Sequence, residues 1–368
     1  MSNVAFLNNS GGNDWGGVEN WIFKTAVALK NRDHEIFIIA RRESKLYKKS
    51  KNAGLNTKII NRISSATFMN PFRVLNLFNY LNNNKIQSLF FCSSPTFKLG
   101  TIAAKLANVE NIIYRRGSAK PIKDKFYNQL LLSRITCFIA NSEATKNKSL
   151  KYFNDFPDEK LKLIYNGVDL DKYKEHSIKK NLHSEFEIDE NKLLLVNVGR
   201  LSKQKGQEYL IKAINLVKES FTDFNLILIG SGPKENQLKK LVKKLNLTEY
   251  IKFAGFRNDI PSILSQADLM VHTALWEGCP WVILESLASG VPVLATDSSS
   301  LPEIIEEGKN GYLAKDRDIK SIAQKIIMIC TEADLDSLSK GARESAEQRF
   351  SFERVIEETE SIFERKSK

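Results

Sequence analysis

The sequence predicts an α/β protein built from two doubly wound parallel sheets. Short runs of β-branched and aromatic residues alternate with helix-period segments along the whole chain, the pattern of repeated βαβ units. At 368 residues the chain exceeds one ordinary core and suits two domains of about 150 to 200 residues each. Glycine-rich turns follow several of the strand-like runs, where open parallel sheets take their ligands.

In order, the first half places strands at 4–8, 35–40, 57–60, 87–92, 111–114, 136–140 and 161–165, each a short apolar run with turn formers at its ends. The stretch 166–191 is polar, charged and poor in strand formers, so it is expected to be the linker. Strands resume at 193–198, 225–229, 251–254, 269–272, 293–295 and 311–313. At the end, Phe352, Val355, Ile356, Ile362 and Phe363 recur at helical spacing on an otherwise charged segment. This gives an N-terminal domain over 1–175, a C-terminal domain over 176–350 and a terminal helix over 351–368.

Composition narrows the function classes. Val4 to Leu7 is only strand length, and no run approaches the roughly 20 apolar residues of a membrane span, so a cytoplasmic protein is expected. Cys92, Cys137, Cys279 and Cys330 lie far apart, and the four histidines show no ligand spacing. Reduced thiols and no metal are expected. Charge is divided unevenly: residues 1–175 hold 28 Lys and Arg against 14 Asp and Glu, while the remainder holds 27 against 29. The excess gathers at Arg41 to Lys51, at Arg115 to Lys125 and at Lys146 to Lys151. One such run is a solvated face; three in one domain point to an anionic membrane surface or acceptor. No aromatic-basic stacking motif accompanies them, so nucleic acid is not an expected partner.

Residues 276–290 constrain the chemistry most. Glu277 and Glu285 stand eight apart across a Gly-x-Pro break, the first in a loop and the second on the following helix. Pro280 suits the first helical position, which leaves Gly278, Cys279, Trp281, Val282 and Ile283 to aim backbone donors at an anion. Amides on phosphates, one carboxylate on sugar hydroxyls and another on a ribose would suit a sugar nucleotide. Upstream, Gly199 and Gly206 free a loop that sets Arg200 and Lys205 at a strand's carboxyl end, a guanidinium fork and a point charge for a diphosphate.

Val198-Gly199-Arg200-Leu201 with Lys205-Gly206, then Gly230-Ser231-Gly232-Pro233, Phe253-Ala254-Gly255-Phe256, Glu277 with Glu285, and Ser289 to Val293 resemble family 4 glycosyltransferases in order and spacing. The first half is similar to them through Gly16-Gly17-Val18-Glu19, Asn141-Ser142-Glu143 and Asn166-Gly167-Val168-Asp169. The resemblance implies the GT-B fold: two Rossmann-like doubly wound domains facing an interdomain cleft, with the C-terminal helix crossing back to the first. It further implies retaining, metal-independent transfer of a hexose-type sugar from a nucleoside diphosphate to a hydroxyl of a glycan or glycolipid. Cell-surface polysaccharide or lipopolysaccharide assembly at the inner membrane face is the expected setting. Arg200 and Lys205 would stabilise the leaving diphosphate, Glu277 would hold the donor sugar and Glu285 the ribose. Gly199, Gly232, Gly255 and Phe256 would surround the nucleotide, and amides at Gly16 and Gly17 would close on the distal phosphate.

Several departures from the pattern matter. Tyr114-Arg115-Arg116-Gly117 stands where many relatives carry a histidine, so Arg115, Arg116 and Asn141 are candidates for an anion or acceptor, with surface charge the alternative. Cys279 reads as a small apolar residue rather than a nucleophile, and His272 as packing rather than a donor contact. Ser298-Ser299-Ser300 replaces a turn often rich in glycine. A glycosidase acid and nucleophile would have no use for the neighbouring cations. A hydrolysing nucleotide-sugar epimerase would not need this glutamate pair, and a basic binding protein would not need the four charged residues together. Asp169-Leu170-Asp171, Asp316-Arg317-Asp318 and Asp334-Leu335-Asp336 are expected to be turn or helix-start acids rather than metal ligands.

Overall fold

A computed structural model describes residues 1–12, 15–174 and 180–364, so the expected boundary at 175/176 lies outside the described residues. The chain forms two compact units, Met1–Tyr165 with Arg354–Lys368, and Asn166–Glu353. The described parts of 166–191 therefore count with the second unit.

The first unit carries β1 (Asn3–Leu7), β2 (Glu35–Ala40), β3 (Asn56–Ile59), β4 (Ser88–Phe91), β5 (Asn111–Arg116), β6 (Cys137–Ala140) and β7 (Leu161–Leu163). They form one parallel sheet in the order β3-β2-β1-β4-β5-β6-β7. Helical crossovers cover both faces, so central strands such as Val4 to Leu7 and Leu89 to Phe91 are apolar throughout and fully buried. Phe6 and Phe90 stack at 4.9 Å on one face, and Phe97 and Tyr114 at 4.5 Å belong to the other packing layer.

The second unit repeats the scheme with β8 (Leu193–Val198), β9 (Phe224–Ile229), β10 (Ile251–Gly255), β11 (Leu269–His272), β12 (Val293–Thr296) and β13 (Gly311–Ala314), ordered β10-β9-β8-β11-β12-β13. All neighbours are parallel, and the order of strand addition reverses between β8 and β11, with β9 and β10 added on one side and β12 and β13 on the other. That switch point opens a crevice beyond their carboxyl ends, the place where a doubly wound sheet binds its ligand.

All thirteen expected strands are present within a residue or two. The largest departures are of two residues: β7 ends at Leu163 rather than at 165, and β5, expected to stop at Tyr114, continues through Arg115 and Arg116, which pair with Ile139 and Ala140 of β6. The helix Phe352–Glu364 packs on the first unit with Phe363 against His34 at 5.3 Å and Phe90 at 6.4 Å, while Glu360 meets His34 Nε2 at 2.7 Å and pairs with Arg32. No helix among the described residues is long and apolar enough to cross a membrane.

Candidate functional site

The carboxyl ends of β8, β9 and β10, on one side of the switch point, hold several of the residues that the sequence marked. Gly199 and Arg200 leave β8, Gly230 to Gly232 leave β9 and Phe256 leaves β10; together they line a cavity of about 480 Å³. Gly230 N–H donates to Gly255 O at 2.7 Å, joining the two turns. A Cβ at Gly232 would lie 2.4 Å from the Leu201 carbonyl, so only glycine lets these loops close on each other. Phe256, 72% exposed, offers one ring face at the cavity wall. Arg200 is exposed, and its guanidinium has no acceptor among the described residues. Arg257, which sequence reading passed over, also lines the cavity but is held by Asp259 (2.6 and 2.8 Å) and Glu185 (2.6 Å).

Beside this cavity the loop after β8 is fastened to the loop after β11. Leu275 N–H donates to Gln204 O, the Gln204 side-chain amide to Trp276 O, and the Thr273 hydroxyl to Gly206 O. Gly206 has φ +66°, and a Cβ there would fall 1.9 Å from the Thr273 carbonyl. That fastening lays the Lys205 stem along Gly199 and sets its Nζ 2.6 Å from Glu277 Oε1. The expected diphosphate ligand and the expected sugar ligand therefore form one ion pair. Burial by itself raises the Glu277 pKa; His272 and Lys205 outweigh it and hold the carboxyl at about 2. Burial also disfavours the charged form of His272, whose Nε2 lies 3.6 Å from Glu277, beyond hydrogen-bond range. With the imidazole neutral, Lys205 is the formal charge partner.

The serine turn braces the same loop. Ser298 donates to Ala274 O at 2.7 Å and Ser300 to Glu277 O at 3.4 Å, both buried, while Ser299 takes the left-handed φ of +52°. Buried Asn166 adds a donor to Cys279 O at 2.6 Å.

One correction concerns Pro280, which is the cap (φ −73°, ψ 121°) of the helix Trp281–Ala288 rather than its first residue. Its carbonyl accepts from Ile283 N–H, so that donor is unavailable to an anion, whereas Gly278 and Val282 N–H have no acceptor among the described residues. Cys279 is buried, as a small apolar residue at a helix start should be. Glu285, one turn into the helix, accepts a hydrogen bond from the Tyr173 hydroxyl. Burial first, then the Glu285 charge, pushes the Tyr173 pKa up, so the phenol keeps its proton and acts as donor. Arg343 anchors this contact from below by donating to both Tyr173 O and Ala288 O. Tyr173 is a site residue that sequence reading missed.

In the first unit, Gly16 caps the helix Gly17–Lys30, and its N–H already donates to Glu19 at 3.0 Å. Gly16 thus differs from the expected free amide, while Gly17 N–H has no acceptor among the described residues. The reading of Arg115 and Arg116 as surface charges is overturned, since both are buried by the continuation of β5. Arg115 lies 4.1 Å over the Trp21 ring. Arg116 donates to the Tyr114 hydroxyl at 3.1 Å and Lys120 O at 2.6 Å, so its guanidinium braces the loop after β5. Asn141 ends β6 beside Gly117, and its buried side-chain oxygen has no donor among the described residues.

The Asp-x-Asp pairs behave as turn and cap acids: Asp318 and Asp334 cap helices by accepting from Ser321 and Ser337 N–H, and Asp169 accepts from Lys172 N–H. Among the described residues only His34, Glu360 and Glu364 cluster closely enough to share an ion. There His34 Nδ1 accepts from Ser2 N–H and Nε2 faces Glu360, so both ring nitrogens are spent.

Residues 178–348 match the family described as Glycosyl transferases group 1, and residues 15–172 match Glycosyltransferase Family 4. The chain belongs to the family 4 glycosyltransferases. Within this family it is 26% identical over 306 residues to the UDP-Gal:alpha-D-GlcNAc-diphosphoundecaprenol alpha-1,3-galactosyltransferase of Escherichia coli, covering 79% of this chain and 78% of that one. It is 28% identical over 209 residues to the N-acetyl-alpha-D-glucosaminyl L-malate synthase of Bacillus anthracis, covering 56% and 54%. The chain spans about half the length of that relative. Among solved structures it is similar to a glycosyltransferase from Rickettsia africae ESF-5 (TM-score 0.88, 20% identity, 100% and 99% of the two chains). It is also similar to Anabaena HepE in complex with UDP and glucose (TM-score 0.79, 23% identity, 98% and 99%). This family 4 glycosyltransferase therefore has the GT-B fold class that its two parallel sheets of seven and six strands express.

Proposed function

We propose that this glycosyltransferase moves a hexose-type sugar, with retention, from a nucleoside diphosphate to a hydroxyl of a glycan or glycolipid in cell-surface polysaccharide or lipopolysaccharide assembly. The observation that carries this reading is the Lys205–Glu277 pair at 2.6 Å beside partnerless Arg200, at the switch point of the second sheet. Leaving-group departure builds negative charge on the diphosphate, and fixed cations there lower the barrier more than they favour the bound donor. Arg200 and Lys205 supply that charge without a metal. Glu277 takes the donor-sugar hydroxyls, Glu285 the ribose hydroxyls, and Gly278 and Val282 N–H the phosphates. Phe256 stacks on the base. The acceptor belongs to the first unit, and the enzyme works at the inner face of a membrane.

Uridine is the base to try first, because the galactosyltransferase is named for UDP-Gal and HepE is complexed with UDP. In a thermal-shift panel of nucleoside diphosphates and their hexose conjugates, at least one is expected to raise the melting temperature. A hundredfold excess over Kd gives about 2.7 kcal/mol. A flat panel would refute the assignment of the cavity to a nucleotide.

Tyr173 supports the ribose carboxylate. Tyr173→Phe deletes one buried hydrogen bond to an ionised acceptor, worth about 1 to 2 kcal/mol. The expected result is a donor KM raised about fivefold to thirtyfold with kcat nearly unchanged. A fall in kcat at constant KM would detach Glu285 from ground-state donor binding.

A further inference from the structure

The first unit exposes an apolar groove of about 780 Å³ between the turn Thr67–Met69, the helix Pro71–Asn83 and Leu106. Met69 is 74% exposed and Phe72 80%, with Leu75 and Leu106 more than half exposed. The apolar surface continues onto the helix Phe126–Arg134 through the Phe68–Tyr127 ring contact at 5.6 Å, and Phe126 is again 80% exposed. Contiguous apolar surface of this kind, facing outward, marks a contact.

What covers it is indicated by charge. On the segments that border the groove, Arg62, Lys105, Lys120, Lys123 and Lys125 are exposed against the acids Glu110 and Asp124, and Arg115 and Arg116 are buried and take no part. Exposed Lys105 precedes Leu106; Arg73, next to Phe72, is half-buried and donates to Asn61 O and Arg62 O, and Lys98 is buried with its Nζ 4.5 Å over Tyr127, so neither belongs to the exposed rim. Lys120 and Lys123, with Lys125 just beyond, are exposed in the loop leading to Phe126. Aromatic and aliphatic side chains interleaved with long cationic ones suit a headgroup-acyl boundary, where the stems lie among lipid chains and the charges among phosphates. A second copy of the chain fits poorly, since a two-fold contact would set the same cationic rim against itself.

We propose that this groove is the membrane-insertion surface of the protein, with Met69, Phe72 and Leu75 entering an anionic phospholipid bilayer under its basic rim. The inference rests on the membrane setting proposed above and names the side chains that enter the lipid. The test uses the full chain carrying Phe72→Trp, with vesicles of phosphatidylglycerol and phosphatidylcholine in equal parts, and with phosphatidylcholine alone. Insertion predicts a blue-shifted emission relative to the parent chain, quenching by brominated acyl chains, and both effects with the anionic vesicles only. The double variant Phe72→Ser, Leu75→Ser should lose about tenfold or more in vesicle partitioning, with its melting temperature and nucleoside-diphosphate binding intact. Sedimentation with anionic vesicles without any change in the emission of the introduced tryptophan would leave the membrane setting standing and overturn the insertion surface. Failure of the parent chain to sediment at low salt would overturn both. A dimer that Phe72→Ser converts to monomer would assign the groove to self-association and overturn the proposal.

Discussion

If Arg200 stabilises the leaving diphosphate as proposed, replacing it by Ala should slow sugar transfer by about 10²-fold or more while leaving the melting temperature unchanged, because its guanidinium meets no acceptor among the described residues. Lys205→Ala should match it in rate and differ in stability. Lys205 neutralises a buried carboxylate at 2.6 Å, and removing one partner of such a pair costs on the order of 3 kcal/mol. The lysine variant should therefore melt several degrees lower, and the Glu277 pKa should rise from about 2 as burial loses its counterweight. Single-turnover rates and melting curves for the two variants separate the roles. Near-normal turnover of Arg200→Ala would remove that residue from the leaving-group site. Equal melting temperatures would show the Lys205–Glu277 pair to be energetically idle.

The strand pattern was legible because buried parallel strands are written as nearly unbroken apolar runs, such as Leu193 to Val198 and Leu226 to Ile229. Loop residues at the switch point were legible for a related reason: glycines that admit close backbone approach, with Arg200, Lys205 and Glu277 between them, have few other uses. Departures arose where long-range packing overrode local character. Arg115 and Arg116 read as charges beyond the end of a strand, yet β6 pairs with both and Trp21, from the distant helix Gly17–Lys30, covers the Arg115 guanidinium. Tyr173 carried no signal at all, since its role depends on the helix Trp281–Ala288 arriving beneath it. The Pro280 cap was missed by a single residue, because proline suits either the cap or the first turn and only the Ile283 hydrogen bond decides.

Glu277→Gln should abolish most donor transfer, by about 10²-fold or more, while binding of free nucleoside diphosphate stays as tight or tightens. The carboxamide keeps the shape of the site and loses the charge that now occupies Lys205, so the freed ammonium can turn wholly to the phosphates. Calorimetric titration with diphosphate, set beside transfer rates, checks both halves, and parallel losses would place Glu277 on the nucleotide instead. The pH dependence follows with a definite sign. A carboxyl held at about 2 contributes its stabilisation at every pH above its ordinary value near 4.5 and loses it only as pH falls toward 2. His272 acts at higher pH: burial keeps its folded pKa below 6.5, so the unfolded chain gains a proton first and stability declines as pH drops below 6.5. Acid weakening of the native enzyme between about 6.5 and 4.5 should thus persist in Glu277→Gln and diminish in His272→Gln. The reverse ranking in melting curves would show that His272 is not the group whose protonation weakens the fold in this window, and would overturn its reading as a buried neutral imidazole.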